Sequence, residues 1–386
     1  MESGSSSEIL REGVWSVHAG DEGEMPAGKG PGKGLLANIT RRRLIVVALS
    51  FIVAAIASIT PAGAQSSANS FRIIDFDWID AARARSVPAR LHWPTEIAPG
   101  ARVPLIVFSH GIGGSRQGYS YLGRYWATRG IASLHVQHVG SDSSLWAGNP
   151  LTLMKRLQMA AHESEAFARG LDMRFALDSV LSSGGGSYDA QIDHQRIVVA
   201  GHSYGANTAL VTVGAGVMRG GKWVGAQDTR FSAAIVISAP PFYGEPNLAS
   251  VLNNVTVPSL HVTATEDVIK IPGYYSSAAD RFDVYNAIAT PRKVLAVFRG
   301  GSHSIFTDRA LTGGPGLNLK VKAATAELSL AFLDLIFDGN RTTMTRWNVK
   351  WQPILALSPG TSPHLLPVAR SRTMVQGATS SLAVSP

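Results

Sequence analysis

A chain of 386 residues is long enough for one large domain or two smaller ones, and a hydrophobic content of 45% is ample for a sizeable core. The absence of cysteine excludes disulfides, thiolate metal sites and a cysteine nucleophile. The net charge is +8, but residues 341–386 contribute five basic side chains and no acidic one, so the rest of the chain carries only +3. No segment of the predicted domain combines a run of basic residues with aromatic residues, which argues against a nucleic-acid partner.

The first 64 residues have the composition of an extension followed by an export signal. Residues 1–40 are rich in glycine, serine and acidic residues and have no hydrophobic period, which predicts a disordered N-terminal extension. An arginine triplet then precedes an apolar run at 44–59 and small residues at 62–64. These three parts are typical of a secretory signal peptide, here 41–64, cut before Gln65. The sequence therefore predicts a periplasmic or secreted protein.

Two features of this segment leave its processing open. The apolar run is short for a spanning helix of about 20 residues, yet an uncleaved anchor remains an alternative and would be the route by which this chain contacts a membrane. Residues 40–45 also resemble a twin-arginine export signal, and Met25 is a more natural start than Met1 for such a leader.

The body of the chain alternates apolar strands with helical segments. Alternating side chains at 71–78 and 87–93 predict antiparallel edge strands. Buried strands are expected at 103–109, 131–136, 197–200, 231–238, 258–265 and 293–298, and helices at 119–129, 151–182 with a break at Gly170, 206–217 and 321–337. This order predicts an α/β domain over 70–340 with a mostly parallel central sheet flanked by helices. Prolines at 353, 359, 363 and 367 and the lack of a period predict a basic, disordered tail over 341–386.

The strongest motif lies at the end of the strand at 197–200. Gly201-His-Ser-Tyr-Gly205 reads G-x-S-x-G and is followed by the helix at 206–217. Strand, tight turn and helix in this order are the context of a nucleophile elbow, in which Ser203 stands at the tip of a strained turn. The alternative is a glycine-bounded turn with an incidental serine.

A serine nucleophile needs a histidine base. Where the three catalytic residues follow the chain order serine, acid, histidine, this base lies farther along the chain than the serine. Downstream of Ser203 the histidines are His261, His303 and His364. His261 lies inside a predicted strand and His364 lies in the tail. His303 follows a strand end in a glycine-rich loop that can carry the imidazole back over the sheet, so we predict His303 as the base.

The acid is chosen among the carboxylates between Ser203 and His303, which are Asp228, Glu245, Glu266, Asp267, Asp280 and Asp283. Glu266 and Asp267 come directly after a buried strand, at the sheet edge where open α/β sheets bind their ligands. The pattern alone does not choose between these neighbours. We favour Asp267, because its shorter side chain would hold the imidazole more tightly, and Asp283 remains a further alternative.

The oxyanion of a tetrahedral intermediate needs two backbone N–H donors. The residue after the nucleophile, Tyr204, supplies one. The other is expected in the glycine-rich loop after the first buried strand, where we nominate Ile112, with His110 bracing the loop. A phosphate-binding loop is disfavoured because no Gly-Lys-Ser/Thr sequence follows.

Two weaker patterns lie between the predicted strands. His135, His138 and Asp142 are candidate metal ligands, but strand-end and loop roles are favoured, since no third close ligand has suitable spacing. The second pattern is an apolar set that fits either a lid over an acyl pocket or simple packing on the sheet, namely Trp146, Leu151, Leu153, Met154, Leu157 and Met159.

The motifs together resemble the α/β-hydrolase superfamily. They are Ser-His-Gly-Ile-Gly-Gly-Ser at 109–115, Gly-His-Ser-Tyr-Gly-Ala at 201–206 and Gly-Gly-Ser-His at 300–303. Over about residues 70–340 the chain is similar to bacterial predicted dienelactone hydrolases, which include relatives of platelet-activating-factor acetylhydrolase and polyester hydrolases. The resemblance implies the α/β-hydrolase fold and places the family's acid on Asp267. True dienelactone hydrolases use a cysteine nucleophile, where this chain has a serine.

The sequence therefore predicts an exported serine carboxylic-ester hydrolase with a catalytic triad of Ser203, Asp267 and His303 and an oxyanion hole at Ile112 and Tyr204. No cofactor or metal is required, and the expected partner is a small-molecule, lipid or polymer ester. The alternatives are an exported serine peptidase of the same fold and a catalytically silent binding protein on this scaffold.

Overall fold

The computed structural model describes residues 70–182, 188–271 and 273–360. The expected N-terminal extension, the expected signal peptide and the last part of the expected tail, 361–386, lie outside the described residues. Within the part described, no helix combines the length and the apolar character needed to cross a bilayer.

A large twisted sheet forms the centre of the described structure. Its strands, with two short hairpins, are β1 Phe71–Asp80, β2 Arg85–Pro94, β3 Val103–Ser109, β4 Ala132–Val136, β5 Ile192–His202, β6 Gly216–Arg219, β7 Lys222–Gly225, β8 Ala233–Ile237, β9 Ser259–Glu266, β10 Ile269–Ile271, β11 Tyr274–Ser276, β12 Lys293–Ser302 and β13 Leu355–Leu357. In the described residues the main sheet has the order β1-β2-β4-β3-β5-β8-β9-β12-β13, and β6 with β7 and β10 with β11 form separate hairpins.

The strands from β4 to β12 in this order are parallel to one another. At one edge β2 pairs antiparallel with β4 and β1 pairs antiparallel with β2, and at the other edge β13 pairs antiparallel with β12. Parallel strands need both faces covered, which explains why β3, β5, β8 and β9 are almost continuously apolar and buried. The predicted α/β class and mostly parallel sheet are confirmed.

Helices cover both faces of the sheet. They are α1 Ser120–Ala127, α2 Leu153–Ala160, α3 Glu163–Leu181, α4 Tyr204–Thr212, α5 Leu248–Leu252, α6 Ala279–Ala287, α7 Pro315–Asp338 and α8 Thr342–Trp351. One core contains buried side chains of α1, α7 and α8, and the other contains those of α3, α4, α5 and α6. The parallel strands are therefore enclosed, and their carboxyl ends open toward the connecting loops.

The prediction of a disordered tail from residue 341 is wrong for its first part. Helix α8 packs against α7 and buries Met344 and Trp347, and the indole nitrogen of Trp347 donates a 2.7 Å hydrogen bond to the carbonyl of Ala324. Strand β13 then pairs with β12. The prolines that suggested disorder, Pro353 and Pro359, lie at the ends of these short elements, where proline is tolerated.

Two helix boundaries also differ from the prediction. The long helical segment breaks near His162, not at Gly170, which lies inside α3 and lets this helix approach Ala226 closely; a Cβ at Gly170 would lie 2.7 Å from that residue's Cβ. The helix after the nucleophile motif ends at Thr212, and the hairpin β6–β7 begins at Gly216.

Candidate active site

Ser203 occupies a tight turn between β5 and α4, with a φ of +58° and a ψ of −125° that residues with a side chain rarely adopt. Glycines on either side make this turn possible. A Cβ at Gly201 would overlap the carbonyl group of Gly205, and a Cβ at Gly205 would overlap the carbonyl group of Ser109. The Ser203 amide donates a 2.9 Å hydrogen bond to Ile237 in β8. Close backbone packing therefore dictates the G-x-S-x-G pattern and presents the serine at the end of β5.

Three side chains from separate strand ends meet at this turn. Oγ of Ser203 lies 2.8 Å from Nε2 of His303, and Nδ1 of His303 lies 2.7 Å from Oδ1 of Asp267. Because a carboxylate only accepts hydrogen bonds, Nδ1 carries the imidazole proton and Nε2 accepts from the serine hydroxyl. Asp267 directly follows β9 and His303 directly follows β12, so both stand at the carboxyl edge of the sheet. The structure brings together the serine, the histidine and the favoured carboxylate of the sequence analysis.

Asp267 is fully buried and surrounded by donors. Its Oδ2 accepts from the Thr263 hydroxyl at 2.7 Å, and its Oδ1 accepts from Arg281 Nη2 at 3.3 Å as well as from His303. Burial alone would raise the pKa of Asp267, but the hydrogen bond and charge of His303, with the Arg281 guanidinium, hold this pKa well below its usual range. The Ser238 hydroxyl lies 2.8 Å from His303 Nδ1. The carboxylate is therefore ionised and fixed in direction.

The other candidates for base and acid lie elsewhere. Glu266 and Asp283 are exposed to solvent. His261 is buried inside β9, where its Nε2 lies 3.1 Å from the Ser259 hydroxyl. His364 lies outside the described residues. Glu266, the last residue of β9, therefore points away from the site. Asp267, the first residue after the strand, points into it.

The two expected oxyanion donors flank the serine. Ile112 and Tyr204 line the same pocket as Ser203 and His303. Among the residues that the structure describes, no backbone or side-chain acceptor takes a hydrogen bond from the N–H of Ile112 or of Tyr204. The loop also lies directly on the serine, since a Cβ at Gly111 would be 3.3 Å from Ser203 Cβ. These two N–H groups are free to bind an oxygen of a substrate.

A hydrogen-bonded chain that the sequence analysis missed joins the oxyanion loop to the base. The Gly111 N–H donates to the Tyr119 hydroxyl over 3.2 Å, and that hydroxyl lies 2.8 Å from Nδ1 of His202. Nε2 of His202 donates over 3.1 Å to the backbone carbonyl of His303. Burial, and secondarily the neighbouring His303, lower the pKa of His202 to about 3, so this imidazole is neutral. Tyr119, His202 and His303 are far apart in the sequence, so no local sequence pattern could have revealed these contacts.

A buried arginine contacts the helix that follows Ser203, the end of β3 and the oxyanion loop. Arg169 of α3 is fully buried; its Nε donates to the Thr208 hydroxyl at 2.9 Å, and its Nη2 donates to the Ser109 hydroxyl at 3.0 Å and to the carbonyl of His110. Its guanidinium carbon lies 4.4 Å from the centre of the Tyr204 ring. Burial lowers the pKa of Arg169 to about 10, which leaves the side chain charged at neutral pH. Arg169 thus joins α4, β3 and the oxyanion loop, which are the elements that position Ser203.

The residues considered as metal ligands have other partners. His138 lies 3.1 Å from an oxygen of Asp172 and 2.9 Å from the Ser109 hydroxyl. Asp142 accepts hydrogen bonds at the start of a short 3₁₀ turn, and His135 stacks in the core. Over 70–182, 188–271 and 273–360, no three His, Asp or Glu side chains are arranged to hold a metal ion.

A pocket of about 370 Å³ opens above the serine. Its walls come from α3, α4, the hairpin β6–β7, the loop after β8 and the hairpin β10–β11, and they are mainly apolar. Of the apolar set proposed as a lid or as packing, Trp146 and Leu157 line the pocket, whereas Leu151 and Met159 point to solvent. The Trp146 indole donates a 2.8 Å hydrogen bond to the carbonyl of Gly113 and so covers the oxyanion loop.

An ion-pair cluster of charged side chains also lines the pocket. Arg219 of β6 donates to Glu163 at the start of α3 over 2.8 Å and also pairs with Glu245 from the loop after β8. All three side chains are partly exposed and line the pocket. The lining of the pocket therefore combines mainly apolar side chains with Ser203, His303 and this ion-pair cluster.

The chain is similar to several known ester-hydrolysing proteins. A model of the family described as platelet-activating factor acetylhydrolase, isoform II, matches residues 76–165. A platelet-activating factor acetylhydrolase of Cavia porcellus is 25% identical over 333 residues, which cover 76% of this chain and 69% of the relative. One from Canis lupus familiaris is 24% identical over 264 residues, which cover 59% of this chain and 53% of the relative.

A solved structure shares the fold. A ferulic acid esterase from Streptomyces cinnamoneus superposes with a TM-score of 0.53 and 21% sequence identity, covering 72% of this chain and 93% of that one. The α/β-hydrolase fold predicted from the motifs is confirmed by this likeness, which concerns the fold alone.

Proposed function

We propose, from the premise that this chain is an ester-hydrolysing enzyme of the α/β-hydrolase fold, that it is an exported serine carboxylic-ester hydrolase working through an acyl-enzyme on Ser203. The observation that carries the mechanism is the hydrogen-bonded series Ser203–His303–Asp267, with distances of 2.8 and 2.7 Å, on the floor of an apolar pocket. A serine hydroxyl becomes a useful nucleophile when such a base accepts its proton.

Acylation begins when Oγ of Ser203 attacks the ester carbonyl carbon and its proton moves to Nε2 of His303. The carbonyl oxygen becomes an oxyanion that accepts hydrogen bonds from the N–H groups of Ile112 and Tyr204. The intermediate collapses when the C–O bond to the alcohol breaks and His303 returns the proton to the departing oxygen. Asp267 stays ionised and stabilises the imidazolium throughout.

Deacylation repeats these steps with water. A water molecule loses a proton to Nε2 of His303 and attacks the acyl carbon, and the second tetrahedral intermediate is held by the same N–H groups. Its collapse releases the carboxylic acid and returns the proton to Oγ of Ser203. Substrate ester and water are converted into acid and alcohol, and no cofactor or metal enters the balance.

The substrate is proposed to be a small-molecule, lipid or polymer ester, and the protein is proposed to act in the periplasm or outside the cell. The export proposal is supported by the basic, apolar and small-residue pattern at 41–64. It is tested by expressing the full chain in a bacterial host and sequencing the N-terminus of the mature protein. We expect Gln65 as the first residue; an intact N-terminus in the membrane fraction would favour an anchor.

The proposed activity is tested with a series of 4-nitrophenyl esters and a 4-nitroanilide of matched acyl group. We expect ester hydrolysis that Ser203→Ala abolishes, together with labelling of the wild type but not the variant by a fluorophosphonate probe. Faster cleavage of the anilide than of every ester would indicate a peptidase. Failure of Ser203 to react with the probe would indicate a binding protein on this scaffold.

A further inference from the structure

Ser238, the residue directly after β8, has a strained backbone. Its φ of +55° lies in a range that residues with a side chain rarely adopt. In the part of the chain that the structure describes, the non-glycine residues with a positive φ are Ala84, Tyr119, Ser203 and Ser238. Ser203 is the nucleophile, and Tyr119 contacts the oxyanion loop. Strained residues of this kind cluster at active sites, where the surrounding structure holds them in place.

The turn by itself does not account for a serine at this position. Glycine adopts a positive φ at no steric cost, so a residue with a side chain costs stability here. Ser238 is also buried, with 1% of its surface exposed, so its hydroxyl does not serve solubility. Its Oγ lies 2.8 Å from Nδ1 of His303. The strained backbone thus places a hydroxyl against the base.

The backbone of Ser238 belongs to the framework that carries the catalytic groups. In the main sheet β8 lies between β5, which leads to Ser203, and β9, which leads to Asp267. The N–H of Ser238 donates a 2.7 Å hydrogen bond to the carbonyl of Val262 in β9. The carbonyl of the preceding residue, Ile237, accepts from the N–H of Ser203 over 2.9 Å. The end of β8 is therefore fixed to the strand of the acid and to the nucleophile turn.

The protons in the contact between Ser238 and His303 can be assigned. Nδ1 of His303 carries the imidazole proton, because its other partner is the ionised Asp267 at 2.7 Å. The Ser238 oxygen therefore accepts from the same N–H, and its own proton is left to donate to the carboxylate. Burial raises the pKa of Asp267, whereas the hydrogen bond and charge of His303, the charge of Arg281 and then the Ser238 hydrogen bond lower it. The hydroxyl thus contacts both the base and the acid.

We propose that Ser238 is a positioning residue, whose hydroxyl accepts from Nδ1–H of His303 and donates to Asp267. It keeps the imidazole oriented with Nε2 toward Ser203. The inference rests on the proposed function, because it needs His303 to take the serine proton. The N–H becomes a stronger donor when His303 is an imidazolium, since hydrogen bonds from charged donors are roughly twice as strong as neutral ones. The hydroxyl therefore stabilises the transition state more than the bound substrate, which affects kcat and not KM.

Two substitutions separate the hydroxyl from the strain. Ser238→Ala removes the hydroxyl, and Ser238→Gly removes the hydroxyl and the strain together. We expect kcat toward 4-nitrophenyl butyrate to fall about tenfold in each, with KM within twofold of the wild type. Tm of Ser238→Gly should exceed that of Ser238→Ala by about 1–3 °C, because alanine keeps the strained φ.

Ser259→Ala is the matched control. It also removes a buried serine hydroxyl next to an imidazole, since Oγ of Ser259 lies 3.1 Å from Nε2 of His261 in β9. His261 takes no part in the reaction. We therefore expect kcat of Ser259→Ala within twofold of the wild type.

A double-mutant cycle distinguishes positioning from a general loss of packing. Ser238 and Asp267 act on the same N–H of His303, so their contributions are coupled. We expect the loss of kcat in a chain carrying both Ser238→Ala and Asp267→Asn to be smaller than the product of the two single losses. A merely structural role of Ser238 predicts losses that multiply.

Each outcome bears on one of the two proposals. A kcat of Ser238→Ala within twofold of the wild type, an equal loss in Ser259→Ala, recovery of kcat in Ser238→Gly or multiplying losses in the cycle would each overturn the role of Ser238 and leave the esterase intact. Absence of ester hydrolysis by the wild type, with no labelling of Ser203 by a fluorophosphonate, would overturn the proposed function and this inference with it.

Discussion

The imidazole of His202 donates a 3.1 Å hydrogen bond to the backbone carbonyl of His303. His202 directly precedes Ser203, so the residue that positions the nucleophile also holds the loop of the base. The ring centres of the two histidines are 4.8 Å apart. Because Tyr119 extends this contact to the N–H of Gly111, the serine, the base and the oxyanion loop are fixed relative to one another.

Removal of the Tyr119 hydroxyl tests this connection. In Tyr119→Phe the buried Nδ1 of His202 and the N–H of Gly111 both lose their partner. We expect kcat toward 4-nitrophenyl butyrate to fall about 10- to 100-fold with little change in KM, because small displacements of reacting groups carry penalties of this order. Tyr275→Phe, at an exposed tyrosine, is the control. A kcat within twofold of the wild type would show that the geometry survives without this hydroxyl.

The choice between adjacent carboxylates is tested by Asp267→Asn and Glu266→Gln. In Asp267→Asn the new side-chain amide would donate to the imidazole and favour the tautomer in which Nε2 carries the proton, so that His303 no longer accepts from Ser203. We expect kcat to fall about 10³- to 10⁴-fold in this variant. Glu266 is exposed, and its variant should remain within twofold of the wild type. Steady-state rates on one ester decide the matter, and a larger loss in Glu266→Gln would exclude Asp267 as the acid.

Arg281 stabilises the ionised Asp267 in the core, and its removal should lower the stability at neutral pH and weaken the dependence of stability on acid pH. Asp267 has a pKa below the ordinary value of 3.8, so its charge stabilises the fold above that value and the stabilisation is lost as pH falls through the lowered pKa. Without the guanidinium the native pKa of Asp267 rises toward the ordinary value, so less of this stabilisation is present at neutral pH and less of it is lost on acidification.

We therefore expect Tm of Arg281→Met to lie below that of the wild type at neutral pH and to fall less steeply than that of the wild type between about pH 5 and pH 3, by the rules of proton linkage. The loss of a buried partner should also cost about 3 kcal/mol at neutral pH. Arg281→Lys keeps the positive charge and should recover part of both effects. Parallel curves of Tm against pH for the wild type and Arg281→Met, measured by calorimetry, would contradict this role.

The tail helix should contribute to global stability. Trp347 is 3% exposed and packs against α7, so Trp347→Ala should lower the free energy of unfolding by about 3–5 kcal/mol. Val349, two residues later, is 76% exposed, and Val349→Ala should change the stability by no more than about 0.5 kcal/mol. Urea titrations of both variants measure the difference. Equal midpoints would mean that α8 is detached from the domain in solution.

The residues of the candidate site were accessible from sequence to different degrees. Ser203 and His303 follow from a glycine-bounded turn and a glycine-rich strand end, both of which are local patterns. Asp267 follows less directly, because alternation along β9 leaves open where the strand ends, and only the structure shows that Glu266 is its last, outward-facing residue. His202 and Arg169 have roles set entirely by distant partners, which no local pattern records.

The elements of the fold also differ in how well the sequence predicts them. The parallel strands were predictable because their apolar runs are continuous, as burial on both faces requires. The predicted helix ran on into the first residues of the hairpin β6–β7, since Ala215 to Val217 continue the small apolar pattern of α4 although Gly214, with a φ of +129°, ends it. Helix α8 carries only a few apolar residues, and its stability comes from Met344 and Trp347 packing against α7.

The ion pairs of Arg219 with Glu163 and Glu245 join three elements of the pocket wall and are sensitive to ionic strength. Because these charges are partly exposed, added salt weakens their mutual attraction while leaving the buried chemistry at Ser203 unaffected. Salt should thus loosen the contacts that α3, β6 and the loop after β8 make through Arg219, while the hydrogen bonds among Ser203, His303 and Asp267 persist.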